Sequence, residues 1–264
     1  MKKFFKDFNK NVVLPKGTLI YGKHPFFSIL KAKKRKIYKI YISEKNKNEF
    51  YDFLKENNDL PSDNLMSLIE FVDNQKLDSI FPYKDDKNHQ GYIIFVGNKQ
   101  EIIFDDFINS NMNEKELPKL IILDQILDPH NLGAIIRTAA AFGIYDIIIT
   151  SRNSTKDTAT VAKSSAGLNE LVNLIEVGNL NSAIKDLKNI GYFIIGLDGE
   201  AKVKLTEIKD NKNIALVLGN EGKGIRELVK KNCDDLVKIP MQTCVESLNV
   251  SVASAIAMYE FWNK

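Results

Sequence analysis

The second half of the sequence alternates short apolar runs with helical segments, and this alternation limits the possible fold more than any other feature. From Pro118 onward the runs LIILDQ, YDIIIT, LVNLIEV, YFIIGLD, IALVLG and LVKIPM are short and rich in β-branched residues. Segments such as NLGAIIRTAAAF and NSAIKDLKNI separate them. Buried strands that alternate with helices predict an α/β fold, with a parallel sheet covered on both faces. Ligands of such sheets gather at the carboxyl ends of the strands.

A smaller α/β block precedes this sheet. From Gly17 to about Gly97 the sequence predicts a helix over HPFFSILKAKK, a strand KIYKIYIS, a helix over EFYDFLKEN and a strand GYIIFVG. The polar stretch that follows has weaker periodicity, which suits a linker with one short helix. We therefore predict an N-terminal domain over residues 17–98, a linker over 99–117 and a C-terminal domain over 118–264.

The composition excludes several classes of protein. Of the 264 residues, 44% are hydrophobic, which suffices for two cores, and the net charge of +3 permits a polyanionic partner without requiring one. Cys233 and Cys244 have no metal-ligand spacing and form no disulfide framework, so we expect no metal and a reducing, cytoplasmic compartment. Uninterrupted apolar runs of about 18 residues are missing from the sequence, so no membrane span is expected.

The loop after LIILDQ leads into the segment NLGAIIRTAAAFG. We predict that Asn131 is the N-cap of this helix and that Gly143 follows its C-terminus. Capping does not explain Arg137, which lies among Leu, Ala, Ile, Thr and Phe. Six residues turn a helix by about 600°, which leaves Arg137 about 120° away from Asn131. Arg137 either extends from an apolar helix to water or faces a ligand with its planar guanidinium.

Two further loops follow strands. The loop after IALVL reads GNEGKG, in which Glu221 is the only acid among three glycines. Its G-x-x-G-x-G spacing is not the dinucleotide fingerprint, and no Ser or Thr follows the Lys as a phosphate-binding loop requires. The loop after LVKIP places Ser247 and Asn249 before the last helix, where either is also a candidate cap. A plain turn or cap explains each loop when it is taken alone.

Together, NLGAIIRTAAAFG, LVLGNEGKG and IPMxxxVxSLNVSVA resemble, in this order, the three signature motifs of the SpoU-type RNA 2′-O-ribose methyltransferases of the SPOUT superfamily. The segment YGKHPFFSIL and the HQG at His89 resemble members with a ribosomal-protein-like substrate-binding domain in front. The resemblance runs from about Leu19 to Trp262 and is nearest to bacterial 23S rRNA guanosine-2′-O-methyltransferases. Thr243 departs from the third motif, where Gly is frequent.

The resemblance implies methylation of a ribose 2′-hydroxyl in RNA, with S-adenosyl-L-methionine as cofactor and 23S rRNA as the expected substrate. It also implies a deep trefoil knot in the C-terminal domain and a homodimer built by that domain. Arg137 is implied to face the 2′-hydroxyl. The residues implied to act in catalysis are Arg137, Asn131, Glu221, Ser247 and Asn249, and those implied to bind the cofactor through their backbone are Leu218, Gly219, Ile239 and Leu248.

Several alternatives stay open. A tRNA ribose 2′-O-methyltransferase is the alternative of the same class, although the ribosomal-protein-like front domain is commoner in rRNA-directed relatives. A non-catalytic RNA-binding ribosome-assembly factor is an alternative of another class, although the intact Arg137, Glu221 and Asn249 argue against it. The glycine spacing disfavours a nucleotide-dependent oxidoreductase. Arg137 acts either as a base or as a group that orients the hydroxyl and a phosphate, since the pKa of an arginine lies above about 12. The basic stretch KAKKRK at residues 31–36 is a candidate contact for RNA phosphates, and equally the charged C-terminal end of a helix.

Overall fold

The computed structural model describes residues 17–57, 62–81, 88–151, 158–208, 213–242, 244 and 247–262. Contacts between these residues divide them into two compact units. The N-terminal unit contains the described residues up to Gln100 together with residues 158–170. The C-terminal unit contains the described residues of 101–151 and those from Leu171 onward.

Helices and strands alternate along most of the described chain. The helices are, in chain order, α1 (Lys23–Ala32), α2 (Lys47–Glu56), α3 (Ser62–Met66), α4 (Asn74–Ile80), α5 (Phe104–Asn111), α6 (Pro129–Ala141), α7 (Ala159–Ser164), α8 (Leu180–Asn189), α9 (Glu227–Asn232) and α10 (Val250–Trp262). The strands are β1 (Thr18–Tyr21), β2 (Ile37–Ser43), β3 (Ile69–Val72), β4 (Tyr92–Val96), β5 (Leu120–Asp124), β6 (Asp146–Thr150), β7 (Asn173–Val177), β8 (Phe193–Leu197), β9 (Val203–Lys204), β10 (Ile214–Gly219) and β11 (Asp235–Lys238).

The N-terminal unit is built on a four-stranded mixed sheet in the order β1-β4-β2-β3. Strand β4 pairs antiparallel with β1 and β2, and β2 pairs parallel with β3. All five residues of β4 are buried, because helices cover both faces of the sheet and its side chains alternate between them. On one face Tyr92 packs with Phe26 of α1 and Phe50 of α2, and on the other Ile93 packs with Leu77 of α4.

Residues 158–170, which include α7, pack in this N-terminal unit, although the sequence analysis placed them with the C-terminal block. The guanidinium of Arg35 binds the carboxylate of Glu170 through Nε–Oε2 (2.9 Å) and Nη2–Oε1 (2.8 Å), and both side chains are 1% exposed. Asn169 donates a third hydrogen bond to this carboxylate from Nδ2, at 3.0 Å. Because Arg35 is buried and paired, it is not a candidate contact for RNA phosphates, unlike the lysines of the basic stretch at 31–36.

The C-terminal unit is built on a seven-stranded sheet in the order β7-β6-β5-β10-β8-β11-β9. Every pair of neighbouring strands is parallel, which confirms the predicted α/β class. Strands β5 and β10 lie near the centre and are buried at every residue, as their continuous apolar sequences predict. Helices α5, α8 and α9 contribute to one core, and α6 packs against α10.

Three strands were not predicted from the sequence, namely β1, β3 and β9. The first two have four residues and the third has two, so none is long enough for a strand period to be recognised. They obtain their backbone partners from strands far away in sequence, as β1 does from β4. The short helix predicted in the linker is present as α5.

Three sequence predictions concern the whole chain: the missing membrane span, the knot and the domain limits. In the described part of the protein no helix is long and apolar enough to cross a membrane, and the longest, α6 and α10, have 13 residues each. The trefoil knot implied by the resemblance stays a prediction, as do the predicted domain limits.

Candidate active site

The candidate site lies at the carboxyl edge of the parallel sheet. Strand β5 ends at Asp124 and β10 ends at Gly219, and these two terminal residues are paired in the register of the sheet. Strand β11, which ends at Lys238, lies two places from β10 with β8 between them. Because all these strands are parallel, the three loops that the sequence analysis selected leave the sheet at the same edge.

Helix α6 begins earlier than predicted, and Asn131 is not its N-cap. Asp128 takes that place, since its side chain accepts a hydrogen bond from the backbone N–H of His130 at 2.9 Å. Pro129 occupies the first turn, where its missing N–H leaves no hydrogen bond unmade. An Asp-Pro pair is a sequence signal for the start of a helix, so this earlier start was predictable. Gly143 follows the end of the helix with a φ of 69°, as predicted.

The side chain of Asn131, which capping does not use, joins two of the three loops. Its Nδ2 donates to Oε1 of Glu221 at 2.7 Å, and its Oδ1 accepts from Nδ2 of Asn249 at 3.0 Å. The Oδ1 of Asn249 in turn accepts the backbone N–H of Ser251 at 2.9 Å, so Asn249 also caps α10. These hydrogen bonds connect residues 90 and 118 positions apart in sequence. We call these three hydrogen-bonded side chains, of Glu221, Asn131 and Asn249, the polar chain.

The glycine-rich loop that carries Glu221 is closed by its own backbone. Asn220 and Gly224 exchange N–H···O hydrogen bonds of 3.0 and 2.9 Å. A Cβ atom on Gly219 would lie 2.1 Å from the carbonyl carbon of Gly224 and 2.2 Å from the backbone nitrogen of Ile225, so it would overlap the peptide bond between them. Loop closure therefore explains why residue 219 has no side chain, before any ligand is considered.

An ion pair that the sequence analysis did not select anchors this loop to β5. Asp124 is completely buried, and its carboxylate accepts hydrogen bonds from the backbone N (2.9 Å), Nε (2.8 Å) and Nη2 (2.8 Å) of Arg226. Asn220 adds a bond from its Nδ2 to the carbonyl oxygen of Gln125, at 3.0 Å. The partners are 102 and 95 positions apart, so no local pattern indicates them.

Two of the predicted catalytic residues lie outside the polar chain. Arg137 lies on α6 with its side chain exposed, and it forms no hydrogen bond or ion pair with the described residues. Ser247 is also exposed and makes no hydrogen bond within the same part of the chain. Thr243, where the sequence departs from the third motif, lies outside the described residues. The structure thus brings together Asn131, Glu221 and Asn249. The side chains of Arg137 and Ser247 are instead exposed to solvent.

The residues predicted to bind the cofactor border the same edge of the sheet. Leu218 and Gly219 are buried at the end of β10, whereas Ile239 follows β11 and is half-buried. Leu248 is half-buried directly before Asn249, which links it to the polar chain. The set offers apolar side chains beside loop backbone, a combination typical of small-molecule sites.

Of the two cysteines, Cys233 is excluded as an alternative nucleophile by its burial. Burial raises the pKa of the Cys233 thiol, at the end of α9, to about 12, so this thiol is protonated at neutral pH. Cys244 is exposed. Among the described residues, no three His, Cys, Asp or Glu side chains are grouped as metal ligands would be.

Both halves of the chain match known families. The SpoU rRNA Methylase family profile matches residues 118–259, and a profile described as RNA 2′-O ribose methyltransferase substrate binding matches residues 19–101. The chain is 36% identical over 245 residues to YacO of Bacillus subtilis, named as a TrmH family tRNA/rRNA methyltransferase, with 93% of this chain and 95% of YacO covered. It is 42% identical over 180 residues to the 23S rRNA (guanosine-2′-O-)-methyltransferase RlmB of Vibrio vulnificus, covering 67% of this chain and 72% of RlmB.

Solved structures share the fold. The AdoMet-bound rRNA methyltransferase of Sinorhizobium meliloti has a TM-score of 0.74 at 20% identity, with 98% of this chain and 89% of that chain covered. The SpoU methyltransferase AviRb of Streptomyces viridochromogenes, in complex with AdoMet, has a TM-score of 0.71 at 17% identity, with 92% and 88% covered. At these identities the likeness concerns the fold.

Proposed function

The chain belongs to the SpoU rRNA methylase family, and we propose that this RNA 2′-O-methyltransferase methylates the 2′-hydroxyl of a guanosine in 23S rRNA, with S-adenosyl-L-methionine as cofactor. The polar chain is the observation that carries the proposal. It joins one residue from each of the three motif segments by hydrogen bonds of 2.7 and 3.0 Å. The identity to RlmB favours guanosine in 23S rRNA as the substrate.

The residues at the carboxyl edge of the sheet fit the proposed cofactor. When bound, S-adenosyl-L-methionine supplies a methyl group on a sulfonium to an attacking oxygen. The half-buried side chains of Ile239 and Leu248 offer apolar surface to an adenine ring, and the backbone after Leu218 and around these residues offers hydrogen bonds. The closed loop at Gly219 holds that backbone in place.

We assign Arg137 to the 2′-hydroxyl and its neighbouring phosphate. An exposed guanidinium without a partner in the described chain has its donors available, and a planar fork suits an oxygen pair. Since the pKa of an arginine lies above about 12, orientation of the hydroxyl is favoured over proton removal. In this proposal Asn131, Glu221 and Asn249 hold the ribose edge, and the exposed Ser247 adds a hydroxyl.

We assign RNA recognition to the N-terminal domain at residues 17–98, joined by the linker at 99–117 to the methyl-transferring domain at 118–264. Within the basic stretch at 31–36, Lys31, Lys33, Lys34 and Lys36 are exposed, and we assign the phosphate contacts to these lysines. Arg35 is excluded because it is buried against Glu170. An rRNA substrate and the absence of a cysteine framework favour the cytoplasm as the compartment.

We also propose a homodimer formed through α10. This helix is apolar on two faces: Ala257 and Met258 are buried, whereas Val252, Ile256 and Tyr259 are 49%, 39% and 57% exposed. The spacing of the exposed residues, i, i+4 and i+7, aligns them on one side of the helix. Helices that are hydrophobic all round are normally buried, which indicates a covering partner.

The test is methyl transfer from methyl-labelled S-adenosylmethionine to transcripts of 23S rRNA and of tRNA, followed by mapping of the 2′-O-methyl position. We expect label on one guanosine of 23S rRNA, and none on a transcript with a 2′-deoxy sugar at that position. Label on tRNA alone would establish the tRNA ribose methyltransferase alternative. A folded protein that binds rRNA and transfers no methyl group to either would be an assembly factor.

A binding titration separates the proposed cofactor from a nicotinamide dinucleotide. We expect calorimetric binding of S-adenosylmethionine or its demethylated product, and none of NAD. Binding of NAD alone would instead support the hypothesis of a nucleotide-dependent oxidoreductase.

A further inference from the structure

Asp124 and Arg226 form an ion pair that ties the C-terminal end of the glycine-rich loop to the strand residue that neighbours its N-terminal end. Asp124 has no exposed surface, and its carboxylate accepts three hydrogen bonds of 2.8–2.9 Å from Arg226. The side chain of Arg226 is 45% exposed, so it extends from the buried carboxylate to the surface. A buried carboxylate needs such a partner, because desolvation of an unpaired charge is costly.

The position of this pair relative to the loop is specific. Gly219, where the loop begins, pairs with Asp124 in the β5–β10 register, and Arg226, where it ends, is bound by the carboxylate of the same residue. Between these ends, the Asn220–Gly224 hydrogen bonds and the Asn220–Gln125 bond leave little freedom. The loop is thereby fixed to the end of β5, and Glu221 is held near its tip.

Glu221 must meet Asn131, which lies on the helix that follows β5. The Asp124–Arg226 pair fixes the loop to the strand that leads into that helix, so it sets where the Glu221 carboxylate lies relative to Asn131. Within the loop, Nδ2 of Asn220 also donates to Oε2 of Glu221 at 3.2 Å, and the ion pair fixes the loop itself to β5.

We propose that Arg226, held by Asp124, is a positioning residue for methyl transfer, which acts by placing Glu221 in the polar chain. The inference rests on the proposed function for its kinetic consequence. Its structural content, that Arg226 sets the Glu221–Asn131 hydrogen bond, stands apart from activity and is measured separately.

The first experiment compares the full-length wild type with Arg226→Lys, which keeps the charge but loses the forked contact with Asp124. Lys230→Met is the control, because it breaks a second, largely buried ion pair on the helix that follows Arg226, with Asp198, at 18% and 9% side-chain exposure. We expect Arg226→Lys to lower kcat at least 10-fold with KM for RNA and cofactor changed less than about threefold, the pattern of an interaction lost in the transition state. Lys230→Met should keep kcat. Equal loss of kcat in both variants would overturn the proposal.

The second experiment is a double-mutant cycle with Glu221→Gln. If Arg226 acts through Glu221, Arg226→Lys should lower kcat much less in the Glu221→Gln background than in the wild type. Losses that multiply independently would overturn the positioning role.

The third measurement needs no activity. The side-chain amide resonances of Asn131, assigned by isotope labelling, should shift in Arg226→Lys toward their positions in Glu221→Gln, and stay in place in Lys230→Met. If wild type transfers no methyl group, the proposed function fails while this readout still decides the inference. Unmoved Asn131 resonances in Arg226→Lys would overturn it whatever the activity.

Discussion

At the scale of single residues, each amide of the polar chain can take only one orientation. The carboxylate of Glu221 accepts hydrogen bonds and donates none, so Asn131 must present its NH₂ group to it. The oxygen of Asn131 then accepts from Asn249, whose own oxygen accepts from the N–H of Ser251. The direction of every bond follows from one charge. A substitution that turns residue 221 from a hydrogen-bond acceptor into a donor therefore disturbs all three residues of the polar chain.

The sequence predicts the members of this chain but not its connections. Asn131, Glu221 and Asn249 were found through motif resemblance, whereas the local interpretation of Asn131 as a cap was wrong because Asp128 and Pro129 start the helix. Asp124 was not found at all. In the sequence, Asp124 is only the polar last residue of an apolar strand, and its partner Arg226 follows 102 positions later. Only the fold brings such residues together.

Arg137 is the residue whose substitution tests the proposed chemistry most directly. Because its exposed guanidinium has no partner in the described chain, Arg137→Ala should leave the fold and cofactor affinity nearly unchanged. The rate of methyl transfer should fall roughly 10²-fold or more, because the 2′-hydroxyl is then no longer oriented toward the methyl group. Arg137→Lys should fail nearly as badly, since an ammonium lacks the planar fork. Single-turnover methylation of an rRNA fragment measures both, and a Lys variant at the wild-type rate would leave Arg137 as a residue that merely reaches water.

At the scale of elements, the long periodic segments were predictable and the short ones were not. Helix α8 and strands β5 and β10 have clear periods or continuous apolar runs, and the structure confirms each. Strand β9 has two residues and exists because β11 offers it a parallel edge. Residues 158–170 illustrate a further limit, since their helical pattern does not indicate which of the two units they join.

Closure of the glycine-rich loop predicts a sharp difference between two glycines. Gly219→Ala places a methyl group against the backbone of Gly224 and should lower the free energy of unfolding by about 1–3 kcal/mol. Gly178→Ala is the control, because a Cβ there meets nothing within 4 Å, and its effect should stay within about 1 kcal/mol. Urea unfolding followed by circular dichroism measures both. Equal stabilities would show that the loop opens without cost.

The attachment of residues 158–170 to the N-terminal unit depends on a buried ion pair. Arg35→Met leaves the Glu170 carboxylate buried without its partner and should destabilise the protein by about 3–5 kcal/mol. Adding Glu170→Gln should restore much of this loss, because the buried charge is then removed. The exposed Lys55–Asp52 pair supplies the control: at 77% and 66% exposure, Lys55→Met should change stability by less than about 1 kcal/mol. Thermal unfolding that ranks Arg35→Met with Lys55→Met would contradict this account.

At the scale of the whole molecule, the chain passes between its two units three times, near residues 100, 157 and 170. Deleting the first 100 residues would therefore remove Arg35 and leave Glu170 without its buried partner. The activity of such a truncated protein would fall both because RNA recognition is lost and because the fold is destabilised, and the two causes could not be separated. The assignment of RNA recognition to residues 17–98 is better tested in the full chain, by substituting the exposed Lys33, Lys34 and Lys36 and following the salt dependence of RNA binding.

The exposed stripe on α10 predicts the state of assembly. Ile256 lies in the middle of the stripe, between Val252 and Tyr259, so Ile256→Asp would place a charge at the centre of the proposed interface, where desolvation makes it costly. We expect wild type to sediment as a dimer and Ile256→Asp as a folded monomer. Leu228→Asp is the control, since Leu228 lies on α9 and is 60% exposed, and this variant should remain dimeric. A monomeric wild type, or a dimeric Ile256→Asp variant, would mean that α10 is not the interface, and its apolar stripe would then require a different partner.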